Sequence, residues 1–359
     1  SPRFVMGMLG TALVSIVMSS LFVVFTPRIW AGRGALFGQT TDTDTGALTG
    51  FAESVKLGGE SRIGESSKVV MEVELFDEPL FRGSVLETYE DSGWTTRLNQ
   101  GLEIGSAPRS RGGWVRQHIR LQPTGTGVLL TLGQAFAGRI DDPNYTIYQN
   151  EAGTLMRYRP SASDLGRLLG MRGSVQEVVG IPWTQPLELT AYSPNEAYFV
   201  RMEPGEEDPY RQYPAEGLDR LRTLARDFAE TTRREGTAGA EGIAREMERY
   251  FVNRGEYVYT LELEREDPNL DPLEDFVFNT RAGHCEYYAS ALAMMLRAVG
   301  IPSRLISGFK GGDVNKFSGH FDVRELHAHA WVEAYVNRRW ITLDPTPARE
   351  VRVHSSVET

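Results

Sequence analysis

Residues 283–304 read GHCEYYASALAMMLRAVGIPSR, and residues 327–347 read HAHAWVEAYVNRRWITLDPTP. In the first stretch Ala289, Leu292, Ala293 and Leu296 recur at helical spacing, and Gly300 followed by Pro302 supplies a stop. The pattern therefore predicts a helix that begins at Cys285. A thiol at a helix start meets unpaired backbone N–H groups and the positive end of the helix dipole, which favour the thiolate and can hold an oxyanion. In the second stretch residues 330–336 and 340–343 read as strands joined by a turn at Asn337, Arg338 and Arg339. Antiparallel pairing would bring His329, which opens one strand, beside Asp344, which closes the next. A nucleophile, a base and a carboxylate that orients the base are thus expected to meet as Cys285, His329 and Asp344.

Upstream of this region Leu218, Leu221, Leu224, Ala225 and Phe228 repeat at helical spacing, a Gly- and Ala-rich break follows at 236–240, and Ile243, Met247, Tyr250 and Phe251 resume the pattern. Between 61 and 205 the period is two. Val69, Met71 and Val73 alternate with Glu72 and Glu74, and Val115, Ile119 and Leu121 bracket Arg116, His118 and Arg120. Turn residues such as Asp91, Ser92 and Gly93 divide these segments, which suggests an antiparallel sandwich-like domain with Trp94, Trp114 and Trp183 in its core. Residues 31–60 are rich in Gly, Thr, Ser and Asp and read as a linker. Residues 4–25, FVMGMLGTALVSIVMSSLFVVF, carry no charge and are long enough for a transmembrane helix. The expected order is a membrane span and flanks at 1–30, the linker, a β-rich domain at 61–205, an α+β catalytic domain at 206–350 and a tail at 351–359.

Composition narrows the chemistry. Thirty-eight basic and forty-eight acidic residues leave a net charge of -10, so no broad basic surface exists to follow a phosphate backbone and nucleic acid is not an expected partner. One cysteine in 359 residues excludes an internal disulfide framework and multi-cysteine zinc arrangements. His327 and His329 form a His-x-His that is compatible with a metal site together with His320, Asp322 or Cys285, but the Cys-His-Asp pattern already accounts for them. No metal and no cofactor are expected. Glu333 is expected to be a paired strand residue, Glu286 a helix-terminus charge, and Arg304 the partner of a buried carboxylate.

Four ordered motifs, Gly283-His284-Cys285, Gly300-Ile301-Pro302-Ser303-Arg304, His329-Ala330-Trp331 and Asp344-Pro345-Thr346, resemble the transglutaminase-like superfamily. Within it the chain is similar to bacterial membrane proteins in which several transmembrane helices precede an extracytoplasmic catalytic domain. Phe81-Arg82-Gly83, Asn279-Thr280-Arg281-Ala282-Gly283 and Gly311-Gly312 carry that closer likeness. The resemblance implies a papain-like catalytic fold with Cys285, His329 and Asp344 as the triad. It further implies acyl transfer from glutamine to an amine on protein or peptide substrates, and a catalytic domain on the periplasmic or extracellular side. A cysteine protease or deamidase would use the same triad, and a non-catalytic module that binds envelope polymer is an expectation of another class. The chain departs from the pattern in two places. His327 stands where subgroup members often have an acidic residue, and no Trp lies between Trp183 and Trp331 to act as the oxyanion donor of eukaryotic members.

Overall fold

The computed structural model describes residues 53–59, 66–74, 79–97, 100–108, 113–159, 180–194, 202, 205–234, 236, 239–253 and 255–347. The apolar run at 4–25, most of the expected linker and the tail lie outside the described residues. Among the described residues, no helix is long and apolar enough to cross a membrane.

The helical pattern on either side of residue 236 becomes α1, Asp219–Arg234, and α2, Ala240–Asn253. Each buries one stripe: Leu221, Ala225 and Ala229 on α1, and Ile243, Ala244, Met247 and Phe251 on α2. The third helix, α3, Cys285–Ala298, is buried from its first residue to Arg297 except at Glu286. Its ring of Ala, Leu and Met side chains lets both other helices and a sheet close around it, the environment that an apolar helix of this length requires. Gly300 ends it in the left-handed region at φ 83°. The Ile301 N–H donates to the Leu296 carbonyl and the Gly300 N–H to the Arg297 carbonyl, the paired bonds of a Schellman stop.

Two larger antiparallel sheets carry the rest. In chain order their strands are β1 Val69–Val73, β2 Leu80–Leu86, β3 Trp114–Leu121, β4 Thr131–Leu132, β5 Ala137–Ile140, β6 Leu187–Pro194, β7 Ser303–Lys310, β8 Asp313–Val314, β9 Phe321–Arg324, β10 Ala328–Val336 and β11 Arg339–Leu343. The sheet under α3 has the order β11-β10-β7-β2-β4, and the second has the order β8-β9-β1-β3-β6-β5. Ala330, Val332 and Ala334 of β10 face the helix core, where small side chains permit close helix-to-sheet packing.

The change of period near 205 marks where helices begin, yet both sheets run across it. β2 pairs with β7 in the helix-covered sheet, and β9 pairs with β1 in the other. Trp94, expected in the β-rich core, packs instead with the helices, and its Nε1–H donates to Ser290 Oγ on α3 at 2.9 Å. Trp183 does occupy the second core, whereas Trp114 is only partly buried and meets Phe136 edge-on.

Candidate active site

Cys285 opens α3 behind His284, whose extended backbone (φ -97°, ψ 178°) turns the chain into the helix without a side-chain cap. The Tyr287 N–H donates to the His284 carbonyl at 3.0 Å, and no side chain of the cap residue takes the N–H groups ahead of it. The thiol itself is 4% exposed. Burial first, then the Glu286 carboxylate and more weakly Asp344, push it up to about 12, against hydrogen bonds from the Ala330 and Glu286 backbone. This corrects the expectation of a depressed thiol: the helix start is present, but desolvation outweighs it. The resting sulfur is protonated, so its proton must leave as it attacks.

The β10–β11 hairpin turns at Asn337 and Arg338, both left-handed at φ 52° and 61°, the backbone of the two-residue turn that suits twisted strands. Its register pairs Val332 with Leu343. His329 Nε2 then lies 2.9 Å from Asp344 Oδ2. Because Nε2 serves the carboxylate, Nδ1 is the nitrogen left to exchange a proton with a thiol. Cys285 bonds to the backbone of Ala330, the residue after His329, so helix start and strand start meet here. Trp331 stacks against the imidazole at 6.3 Å and 20°. Gly308 pairs with His329 across the sheet at a β-bulge, and a Cβ there would lie 2.1 Å from the Phe81 carbonyl oxygen and 2.9 Å from the Trp331 ring. Only glycine allows β2 to approach this closely behind the imidazole.

Asp344 is held from every side. Its N–H donates to Glu248 Oε1 at 2.7 Å, and its Oδ1 accepts the Thr346 N–H at 3.2 Å. Its Oδ2 also accepts from Lys310 Nζ at 2.7 Å. Burial alone would raise the carboxyl, but His329 and Lys310 hold it well below the usual carboxylate range. Neither Lys310 nor Glu248 was expected from the sequence. The only available signal was strand alternation, which sets Lys310 on the face of Gly308 and hence of His329.

The remaining candidates have other partners. His327 sits in a 3-10 turn, Glu325–His327, where its Nδ1 accepts the Arg324 N–H at 3.1 Å and its Nε2 lies 3.9 Å from Asp313. Burial shifts its pKa downward. Among the described residues, no three His, Cys, Asp or Glu side chains converge as metal ligands. Arg304 does pair with a buried carboxylate, Glu333, at 2.7 Å from Nε. Glu286 is pushed up to about 7 by burial, and its Oε2 lies 3.7 Å from His284 Nδ1. Burial in turn takes His284 down to about 4.

Residues 225–345 match the core model of the transglutaminase-like superfamily, and residues 1–165 match the TgpA N-terminal domain. The chain thus carries a transglutaminase-like core domain behind a TgpA N-terminal domain, in a fold of mixed helices and sheets. It is homologous to a Pseudomonas aeruginosa protein named protein-glutamine gamma-glutamyltransferase, at 26% identity over 344 residues, 94% of this chain and 46% of that protein. A Bacillus subtilis protein, uncharacterized protein YebA, is 28% identical over 152 residues, 39% of this chain and 19% of that one. The chain spans less than half the length of either relative. The crystal structure of the periplasmic domain of TgpA from Pseudomonas aeruginosa shares the fold at a TM-score of 0.64 and 23% identity, over 83% of this chain and 94% of that domain.

Proposed function

We propose that the chain is part of a membrane-anchored thiol enzyme that transfers the acyl group of a glutamine carboxamide to an amine through a thioester on Cys285. The observation that carries this reading is the 2.9 Å contact of His329 Nε2 with Asp344, beside a thiol at the helix start. Cys285 Sγ attacks the carboxamide carbon as its proton passes to His329 Nδ1, and the tetrahedral intermediate collapses as His329 returns that proton to the departing ammonia. An acceptor amine then attacks the thioester, gives its proton to His329 and leaves Cys285 as the thiol. Asp344 keeps the imidazole oriented and stabilises its charged form, and the Cys285 N–H at the helix start is the oxyanion donor. Water in place of the amine would make the enzyme a deamidase, or a cysteine protease where the carbonyl belongs to a peptide bond.

The name of the Pseudomonas relative supports the transferase, and the periplasmic domain of TgpA supports an extracytoplasmic site. Residues 4–25 are the proposed anchor, and protein or peptide substrates that present glutamine and lysine are the proposed partners. The test is intact-mass analysis of a glutamine-containing, lysine-free peptide incubated with the full chain and a primary amine, beside Cys285→Ala. Amine incorporation lost in the variant supports the transferase. A gain of about one dalton means deamidation and new termini mean proteolysis. Identical behaviour of both chains would favour the envelope-binding module instead, a reading to which the raised thiol gives some support.

A further inference from the structure

We infer that Lys310 is a positioning residue that sets how strongly Asp344 supports His329, an inference that rests on the triad proposed above. Lys310 is the last residue of β7, the strand between β10 and β2 in the helix-covered sheet. Gly308 pairs with His329, and two residues further along β7 the period-two alternation returns the Lys310 side chain to the same face. There its Nζ donates to Asp344 Oδ2 at 2.7 Å, and that same oxygen accepts from His329 Nε2 at 2.9 Å. The other oxygen is engaged by the Thr346 N–H at 3.2 Å.

One oxygen therefore serves both the Lys310 ammonium and the His329 imidazole. When the triad rests, Asp344 and Lys310 already form a neutral pair, so the carboxylate has less field to spend on an imidazolium. The charged and titratable groups around the ring belong to several elements. Asp344 follows β11, Lys310 ends β7, Cys285 and Glu286 open α3, and Glu248 of α2 acts through the Asp344 N–H. His327, on the turn before β10, is directed to Arg324 and Asp313. Of these, Lys310 alone is a cation on the carboxylate oxygen that His329 uses. Its side chain is 46% exposed, so water can replace part of the contact and the effect of removing it is moderate.

Removing the ammonium leaves Asp344 to His329 alone, and the imidazolium gains stability. The experiment follows the His329 ring resonance against pH in the full chain labelled at histidine, assigned with His329→Asn. It compares the unaltered chain with Lys310→Met and Lys310→Arg, and reads Cys285 alkylation by iodoacetamide in parallel. In Lys310→Met the titration midpoint is expected to rise by about half a unit or more, roughly threefold in the acid constant. Lys310→Arg, which keeps the charge, is expected to stay close to the unaltered chain. A smaller shift or a downward one in Lys310→Met overturns the inference, as does an equal shift in Lys310→Arg. Lys310→Gln takes the place of Lys310→Met should that variant fail to fold. The ring titrates whether or not glutamine is turned over, so an inactive chain would sink the proposed activity and still decide the role of Lys310.

Discussion

Two carboxylates, the buried Glu333 on β10 and the half-buried Asp344 just past β11, are each held by two basic side chains, and only Asp344 has an imidazole among them. Glu333 lies on β10, on the face that carries His329. Arg82 Nε donates to its Oε1 at 3.1 Å and Arg304 Nε to its Oε2 at 2.7 Å. The same guanidiniums donate to the carbonyls of Gly153 and Ala152, and Arg304 lies 3.8 Å over the Trp340 ring. Burial opposes ionisation there, yet the two guanidiniums hold the carboxyl down at about 2. Every donor in that cluster is permanently charged and satisfied inside the protein. At Asp344 one of the two partners is an imidazole whose second nitrogen is left for Cys285. A buried carboxylate is structural when its partners cannot change charge, and becomes part of a reaction when one of them can.

The contrast can be broken most directly at Asp344. Asp344→Asn should lower amine incorporation on the order of 10³-fold, with a loss of stability smaller than that of Glu333→Gln because the Lys310 it releases is half-exposed and can be rehydrated. Glu333→Gln should do the reverse. It strands Arg82 and Arg304 without a counter-charge and should cost about 3–5 kcal/mol of stability, read by denaturant unfolding, with per-molecule activity retained in the folded fraction.

Glu286 sharpens the comparison, because it is a largely buried carboxylate with no Lys or Arg paired to it among the described residues. Its folded pKa, about 7, lies above the ordinary value of 4.5. Its contribution to stability is therefore fully present below pH 4.5 and is lost as pH rises through about 7. Glu286→Gln should accordingly be more stable than the unaltered chain at pH 8, by up to ~3 kcal/mol, and equal to it at pH 4. With the neighbouring charge gone, Cys285 alkylation at pH 8 should also quicken several-fold. The smallest effect is expected at the hairpin turn. Arg338, at φ 61°, should gain about 1 kcal/mol as Arg338→Gly, with the His329–Asp344 contact and hence the pH profile unchanged.

The parts of the molecule legible in the sequence are those in which neighbours in space are neighbours in the chain. The α3 start at Cys285, its Gly300 stop, the α1–α2 pair and the β10–β11 hairpin all follow from short-range patterns, and the hairpin carries His329 to Asp344. Alternation in β3 also shows, with Ile119 and Leu121 buried and Arg116, His118 and Arg120 exposed. Sheet membership does not show, because alternation marks the face a side chain takes and not the strand beside it. Period alone therefore places Trp94 in the β-rich core, whereas it packs with the helices, and it leaves Lys310 and Glu248 unmarked. The thiol differs for another reason: a helix start can be read locally, whereas the desolvation that raises Cys285 depends on everything packed around α3.

Arg82 and Glu333 meet across 251 residues of chain. During synthesis, β2 is made long before β7 and β10, the strands that will lie beside it and beyond it, so a nascent chain must keep a buried-type strand from pairing elsewhere while it waits. The His329–Asp344 contact is then among the last features to form, since Asp344 follows β11 in the chain. A chain cut short before residue 344 would hold Cys285 and His329 without the carboxylate that His329 meets, so the constellation is completed only as the last strand is delivered.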